Sequence, residues 1–206
     1  MTHYLIEFRF HGVAKFKLKE LIYEINRKFK LKEKRAIPHI TLAGPFYTQY
    51  EKKLIGDFNR LCSNSSLMSF KTGNYDFFKN GNNNNVVFLN INPTEELKEF
   101  RRELSQKIKS YCNLSSFDEK KEFVFHTTLA MKLSNSKFVS IKRFLENKSK
   151  LNFKHVIVRA TLIKGGIILR EYDFLLKRPL IRRLAKSKII YAKTLKLLKS
   201  HFERNY

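Results

Sequence analysis

Histidine followed two positions later by threonine occurs twice in this chain, each time leading into Leu-Ala: Pro38-His39-Ile40-Thr41-Leu42-Ala43 and Phe125-His126-Thr127-Thr128-Leu129-Ala130. Both segments have the apolar character of β-strands. Successive side chains on a strand take opposite faces, so His39 and Thr41 share one face and Ile40 and Leu42 take the other. In the second copy His126 and Thr128 share a face, opposed by Thr127 and Leu129. Two such strands facing each other across a cleft would assemble two imidazoles and two hydroxyls, a set suited to displacement at phosphorus without a metal. One histidine would act as general base on water while the other, protonated, served the leaving oxygen, each role being worth about 10²- to 10⁴-fold. Imidazole fits both roles because its pKa lies near neutrality. Thr41 and Thr128 can donate hydrogen bonds to phosphoryl oxygens as these gain charge. Lys132, six residues after His126, is a candidate cation. A 2′,3′-cyclic phosphate suits such a site, since its ring fixes the geometry and no remote leaving group needs positioning. His3, His11, His155 and His201 lack this context and read as structural or surface groups.

The elements that must position these residues follow from pattern. Tyr4, Ile6, Phe8 and Phe10 alternate as in a strand, and Leu18, Leu21, Ile22, Ile25 and Phe29 recur at helical steps within a helix of about Phe16–Leu31. The first motif strand ends at Gly44-Pro45. A second helix is expected over Tyr50–Cys62, strand from Leu67 to Phe78, and a hairpin through Asn80–Asn85 into a strand over Val86–Ile91. Pro93-Thr94-Glu95-Glu96 reads as a helix start with acids in its first turn. The second motif strand, Glu122–Leu133, precedes a helix near Ser136–Asn147, a strand run over Phe153–Ile163 and a strand over Ile167–Leu175 after a turn at Gly165-Gly166. Each half has its own motif strand, which would suit a duplication giving two similar lobes.

Length and composition fit one folded domain with an appendage. The 206 residues are 43% hydrophobic, with 19 phenylalanines, which excludes a disordered chain. Forty-two Lys and Arg against 18 Asp and Glu give a formal charge of +24, a field that concentrates polyanions and makes RNA or an oligonucleotide the expected partner. Cys62 and Cys112 show no metal-ligand spacing. Met1–Phe10 carries Glu7 and Arg9 within its alternation and lacks a signal-peptide core, and no apolar run reaches the ~20 residues of a membrane span. The expectation is a soluble, cytoplasmic monomer with no cofactor and no membrane attachment. Residues 1–176 would form the domain. From Lys177 to Tyr206, ten basic residues stand against Glu203 alone, with Ile181, Leu184, Tyr191, Leu195, Leu198 and Phe202 at helical spacing. One or two basic amphipathic helices after Pro179 are expected, docked on the domain, gripping RNA or touching a membrane surface.

The segments His39-Ile40-Thr41-Leu42-Ala43-Gly44-Pro45-Phe46 and Phe125-His126-Thr127-Thr128-Leu129 resemble the paired motifs of the two-histidine phosphoesterase superfamily, which includes the 2′-5′ RNA ligase-like proteins. The closing hairpin, Leu162–Gly166 through Glu171-Tyr172-Asp173-Phe174, is similar as well, and the resemblance spans about residues 1 to 176. It implies an α+β fold of two pseudo-twofold lobes, antiparallel sheets flanking a central cleft, and no required metal, with the basic helical extension outside it. Carried over, His39 and His126 are the catalytic pair, His39 as acid and His126 as base, and Thr41 and Thr128 bind phosphate. The implied activity is opening of RNA 2′,3′-cyclic phosphates to 2′-phosphates. Cleavage of 2′-5′-linked or cyclic oligonucleotides, RNA ligation, and a non-enzymatic RNA-binding module are the alternatives. Many RNA ligase-like members carry an arginine shortly after the second motif, where this chain has Met131-Lys132, and lysine lacks the bidentate fork. Bases are held by aromatic stacking. Phe46 and Tyr47, just past the first motif strand, are the candidate platforms, although most of the 28 aromatic rings must be core.

Overall fold

The computed structural model describes residues 2–32, 37–80, 83–120 and 122–204. β1 (Tyr4–Arg9) leads through α1 (Gly12–Lys28) into β2 (His39–Phe46), and α2 (Glu51–Ser63) follows. β3 (Met68–Phe78) and β4 (Asn85–Pro93) form the expected hairpin, of whose tip Gly81 and Asn82 lie outside the described residues. β4 then repeats the opening order, running through α3 (Glu95–Ile108) into β5 (His126–Leu133) and α4 (Asn135–Glu146). β6 (Lys154–Ile157), β7 (Arg159–Lys164), β8 (Ile167–Asp173), β9 (Arg178–Ile181), α5 (Arg182–Ala185) and α6 (Lys188–Arg204) complete the chain.

The strands form two antiparallel sheets, of order β2-β1-β7-β8-β9 and β5-β4-β3-β6. Each motif strand is the edge of its sheet, and β2 lies against β5. α1 packs on β5 and α3 on β2, so each motif strand is backed by the helix that precedes the other. This exchange makes the two halves one continuous core, with Leu18, Ile25, Leu42, Leu97 and Leu129 all essentially inaccessible. No helix among the described residues is long and apolar enough to cross a membrane.

The run expected as one strand over Phe153–Ile163 is instead two strands that part at Val158. β6 pairs with β3 in one sheet, while β7 pairs with β1 and β8 in the other. Val158 is buried where the chain crosses between lobes, and an unbroken apolar run cannot reveal such a crossing. The C-terminal segment also begins as sheet rather than helix. The expected boundary at 176/177 falls between β8 and β9, and Pro179 sits in β9 at the sheet edge, where a missing N–H is tolerated.

Helices begin at Arg182, and α6 is held by polar contacts. Thr194, fully buried, donates to Asp173 Oδ2 at 2.5 Å and accepts from Arg159 Nη2 at 3.0 Å. Arg159 also bonds Asp173 at 2.8 Å and Glu171 at 3.0 Å, and its guanidinium lies over the Tyr191 ring. Burial pushes the Glu171 pKa up against the attraction of Arg159. By contrast Ile181 and Phe202, expected on the buried stripe, are 46% and 41% exposed. A buried ion cluster is costly to break one partner at a time. Thr194→Val, nearly isosteric, should therefore destabilise the protein by about 1–3 kcal/mol. Urea denaturation checks this, and an unchanged midpoint would mean that the helix is held by its apolar contacts alone.

Candidate active site

The two motif strands are matched in detail. Burial alternates identically over the first five residues of each, with His39, Thr41, His126 and Thr128 half-buried and Ile40, Leu42, Thr127 and Leu129 buried. In both strands the residue after the buried leucine, Ala43 or Ala130, is also buried, beside a register irregularity with the neighbouring strand. The alternation expected from sequence thus puts each imidazole and its hydroxyl on one face, and the contact of β2 with β5 brings the two faces together.

Each ring is pinned the same way. His39 Nδ1 lies 2.8 Å from the carbonyl oxygen of Ile37, and His126 Nδ1 lies 2.8 Å from that of Val124. A carbonyl oxygen can only accept, so Nδ1 carries the hydrogen in both rings and Nε2 is left to gain or lose a proton.

The surroundings of the two rings differ. His126 sits among Phe88 at 4.9 Å, Phe78 at 5.3 Å and Phe117 at 6.4 Å between ring centroids. Its pKa is lowered, first by this burial and further by the charge of His39, against the pull of the Val124 carbonyl. His39 has an acidic neighbour instead. The Glu7 carboxylate, 2% exposed, lies 3.7 Å from His39 Nε2 and receives Arg9 Nε at 2.5 Å. Register explains the grouping, since Glu7 lies opposite Thr41 and Arg9 opposite His39. Glu7 also faces Thr161, which donates to Glu171, so a polar ladder runs across the sheet from the motif strand to the α6 anchor.

The remaining expected site residues lie elsewhere. Phe46 is fully buried and stacked on Tyr4 at 6.0 Å, so it is a core residue and not a platform for a base. Tyr47 is 42% exposed but follows Phe46, whose register partner Tyr4 stands five residues along β1 from Arg9, the partner of His39, about 17 Å at ~3.3 Å per residue. There it lines a separate cavity of about 550 Å³ with Tyr4, Tyr50 and Tyr111. Lys132 is exposed and precedes Leu133, whose register partner Asn85 stands five residues along β4 from Asn90, the partner of His126, about 17 Å by the same rise. The half-buried rings of Phe78 and Phe117, beside His126, are the aromatic faces the structure offers instead. Neither they nor Glu7 carried a spacing signal, because strand register and the packing of the segment before β5 bring them in. Among the described residues no three His, Cys, Asp or Glu side chains gather as a metal site.

Because burial lowers the His126 pKa, the acidic limb of a kcat/KM–pH profile that depends on its neutral form should lie below about pH 6.5, the ordinary value for histidine. Phe117→Ala would wet the ring and move that limb upward. A limb that stays put in the variant would show that the aromatic rings do not set it.

A family model described as the 2′-5′ RNA ligase superfamily matches residues 13–164, a span that holds both motifs. Among solved structures, Escherichia coli LigT in its apo form is 17% identical, with 87% of this chain and 92% of that chain covered and a TM-score of 0.47. LigT complexed with 3′-AMP is 15% identical over the same shares, with a TM-score of 0.46. Kluyveromyces marxianus Usb1 is 12% identical, with 81% and 95% covered and a TM-score of 0.48. No curated protein matches the chain in sequence.

Proposed function

The chain belongs to the 2′-5′ RNA ligase superfamily of two-histidine phosphoesterases, and from that premise we propose that it hydrolyses the 2′,3′-cyclic phosphate at the end of an RNA, leaving a 2′-phosphate. The observation that carries this reading is the pair of imidazoles on β2 and β5. Each is held through Nδ1 by a main-chain carbonyl, which leaves Nε2 to gain or lose a proton, and the two have unlike neighbours: the Glu7 carboxylate 3.7 Å from His39 Nε2, and aromatic burial around His126.

In this reading His126, neutral through burial, takes a proton from water at Nε2. The hydroxide oxygen bonds to phosphorus while the bond from phosphorus to O3′ breaks. His39, whose imidazolium has Glu7 as a partner, delivers its proton to O3′. Charge gathers on the non-bridging oxygens during this displacement, and the Thr41 and Thr128 hydroxyls donate to them. The cycle ends with His126 protonated and His39 neutral, and exchange of protons with solvent restores both. Phe78 or Phe117 offers a stacking face for the terminal base. Ring opening by a ribose hydroxyl in place of water would be the same displacement run as ligation.

The deciding experiment uses a short RNA ending in a 2′,3′-cyclic phosphate, in EDTA, with wild type, His39→Ala and His126→Ala. Each substitution should lower kcat by about 10²- to 10⁴-fold while RNA affinity changes little. Conversion to a 2′-phosphate end by wild type alone supports the proposal. A cyclic end that survives while 2′-5′ oligoadenylates or cyclic oligonucleotides are cleaved would move the substrate to those classes. No turnover of any of them, with RNA bound equally by all three proteins, would mean a binding module.

A further inference from the structure

The N-terminus of α1 opens into a cavity of about 300 Å³ whose lining includes His11, Val13, Lys17, Lys154 and His155. Among the described residues no aspartate or glutamate lines it, and the first turn of α1 carries no acid. His11, at the N-cap, makes no side-chain capping hydrogen bond. The first backbone N–H groups of a helix have no intrahelical acceptor, and the helix dipole adds positive potential there.

A second observation is independent of the helix end. His155 is 6% exposed, its ring 4.2 Å from that of His11 and 5.3 Å from those of Phe10 and Phe70, and its buried Nε2 has no hydrogen-bond partner. Burial, with the charge of His11 adding to it, pushes the His155 pKa down to about 3, so at neutral pH the ring is an uncharged donor and acceptor. A buried polar atom left unpaired in a native fold calls for a partner. His11 is held by the Val156 carbonyl at 2.8 Å, with the charge of Lys15 close enough to act on it.

The position suits a strand of RNA. Arg9, the register partner of His39, precedes His11 by two residues, a rise of about 7 Å. Val13 and Phe16, exposed at 69% and 71%, stand one turn apart on the outer face of α1.

We propose that the His11–His155 cavity at the start of α1 is a second phosphate subsite, which takes a phosphodiester of the bound RNA other than the reacting one. This rests on the reading that RNA occupies the cleft, but it needs no turnover to test. Imidazole NMR signals would be followed as wild type is titrated with inorganic phosphate, and then with an RNA pentanucleotide ending in a 3′-hydroxyl. Both should shift His11 and His155 saturably, and the RNA should compete with the phosphate.

Val13→Glu is the discriminating variant. A carboxylate in the first helical turn complements the dipole, so the melting temperature should hold or rise, while repulsion of an anion should remove both shifts. In the same variant KM for the longer RNA with a cyclic end should rise about tenfold, the scale of one charge-assisted hydrogen bond lost. kcat on a dinucleotide cyclic phosphate should be unchanged. Signals that ignore both probes would make the pair a packing contact and overturn the proposal. Phosphate binding that the RNA neither reproduces nor displaces would overturn the RNA assignment. Shifts in Val13→Glu equal to those of wild type would remove the helix terminus from the site. If the signals respond but the cyclic phosphate is never cleaved, the reaction reading fails and the subsite stands.

Discussion

An imidazole whose Nδ1 hydrogen is held by a main-chain carbonyl has one tautomer when neutral and one nitrogen for chemistry. Here the carbonyl belongs to the residue two positions before the histidine, in both motifs and at the same 2.8 Å. The donor, the acceptor and the strand are therefore one local unit, which works only if the segment entering the strand keeps its geometry. Much of the fold serves that need. Each motif strand is a sheet edge, paired on one side by β1 or β4 and backed by the helix of the opposite half. An edge strand left alone would be free to fray or to pair with another chain. Laying the two edges against each other meets this liability and sets the two histidine-bearing strands side by side in one step.

If the two histidines act as acid and base, as proposed, a scaffold that repeats its element order must still make them unlike, because the two roles differ by a proton. The backbone supplies the likeness and the neighbours supply the difference. Across β5, register places Phe88 opposite Thr128, and Phe78 and Phe117 close over the ring of His126. Across β2, the corresponding neighbour is β1 with Glu7 and Arg9. One ring is thus desolvated by hydrocarbon while the other has a carboxylate within 3.7 Å. Unlike neighbours of this kind would let one repeated motif serve the two roles of the proposed reaction without any change in the motif itself.

How much of this was legible depends on range along the chain. The motif faces were readable because a period of two is local, and it held through Thr41 and Thr128. Phe46 lies beyond the irregularity at Ala43, where the alternation no longer holds, and only its nearness to the motif suggested a surface role. Tyr47 lies past the end of β2, at the opposite end of that strand from His39. Glu7, Phe78 and Phe117 could not be found this way. They reach the site through strand register and loop packing, which one sequence does not encode at fixed spacing. The break at Val158 escaped for a related reason, as both strands that meet there are apolar and only their partners differ.

The charge of the chain and the charge of its interior are separate matters. Within the first sheet the buried acids Glu7, Glu171 and Asp173 are matched by Arg9 and Arg159, and the ladder they form ends on an uncharged threonine of α6. The excess of +24 must therefore reside on the outside, on α5, the exposed face of α6 and the other helices. Such a field acts at range and is screened over a Debye length of about 8 Å at physiological salt. It can gather polyanions and speed encounter, but it cannot choose among them. In the proposed reaction, choice would come from groups at fixed positions: two pinned imidazoles, two hydroxyls and the aromatic rings beside them. The division explains why a strongly basic protein can keep the Glu7 carboxylate beside His39. An arginine in place of Glu7 would add attraction where it is already plentiful, and would remove the carboxylate 3.7 Å from His39 Nε2.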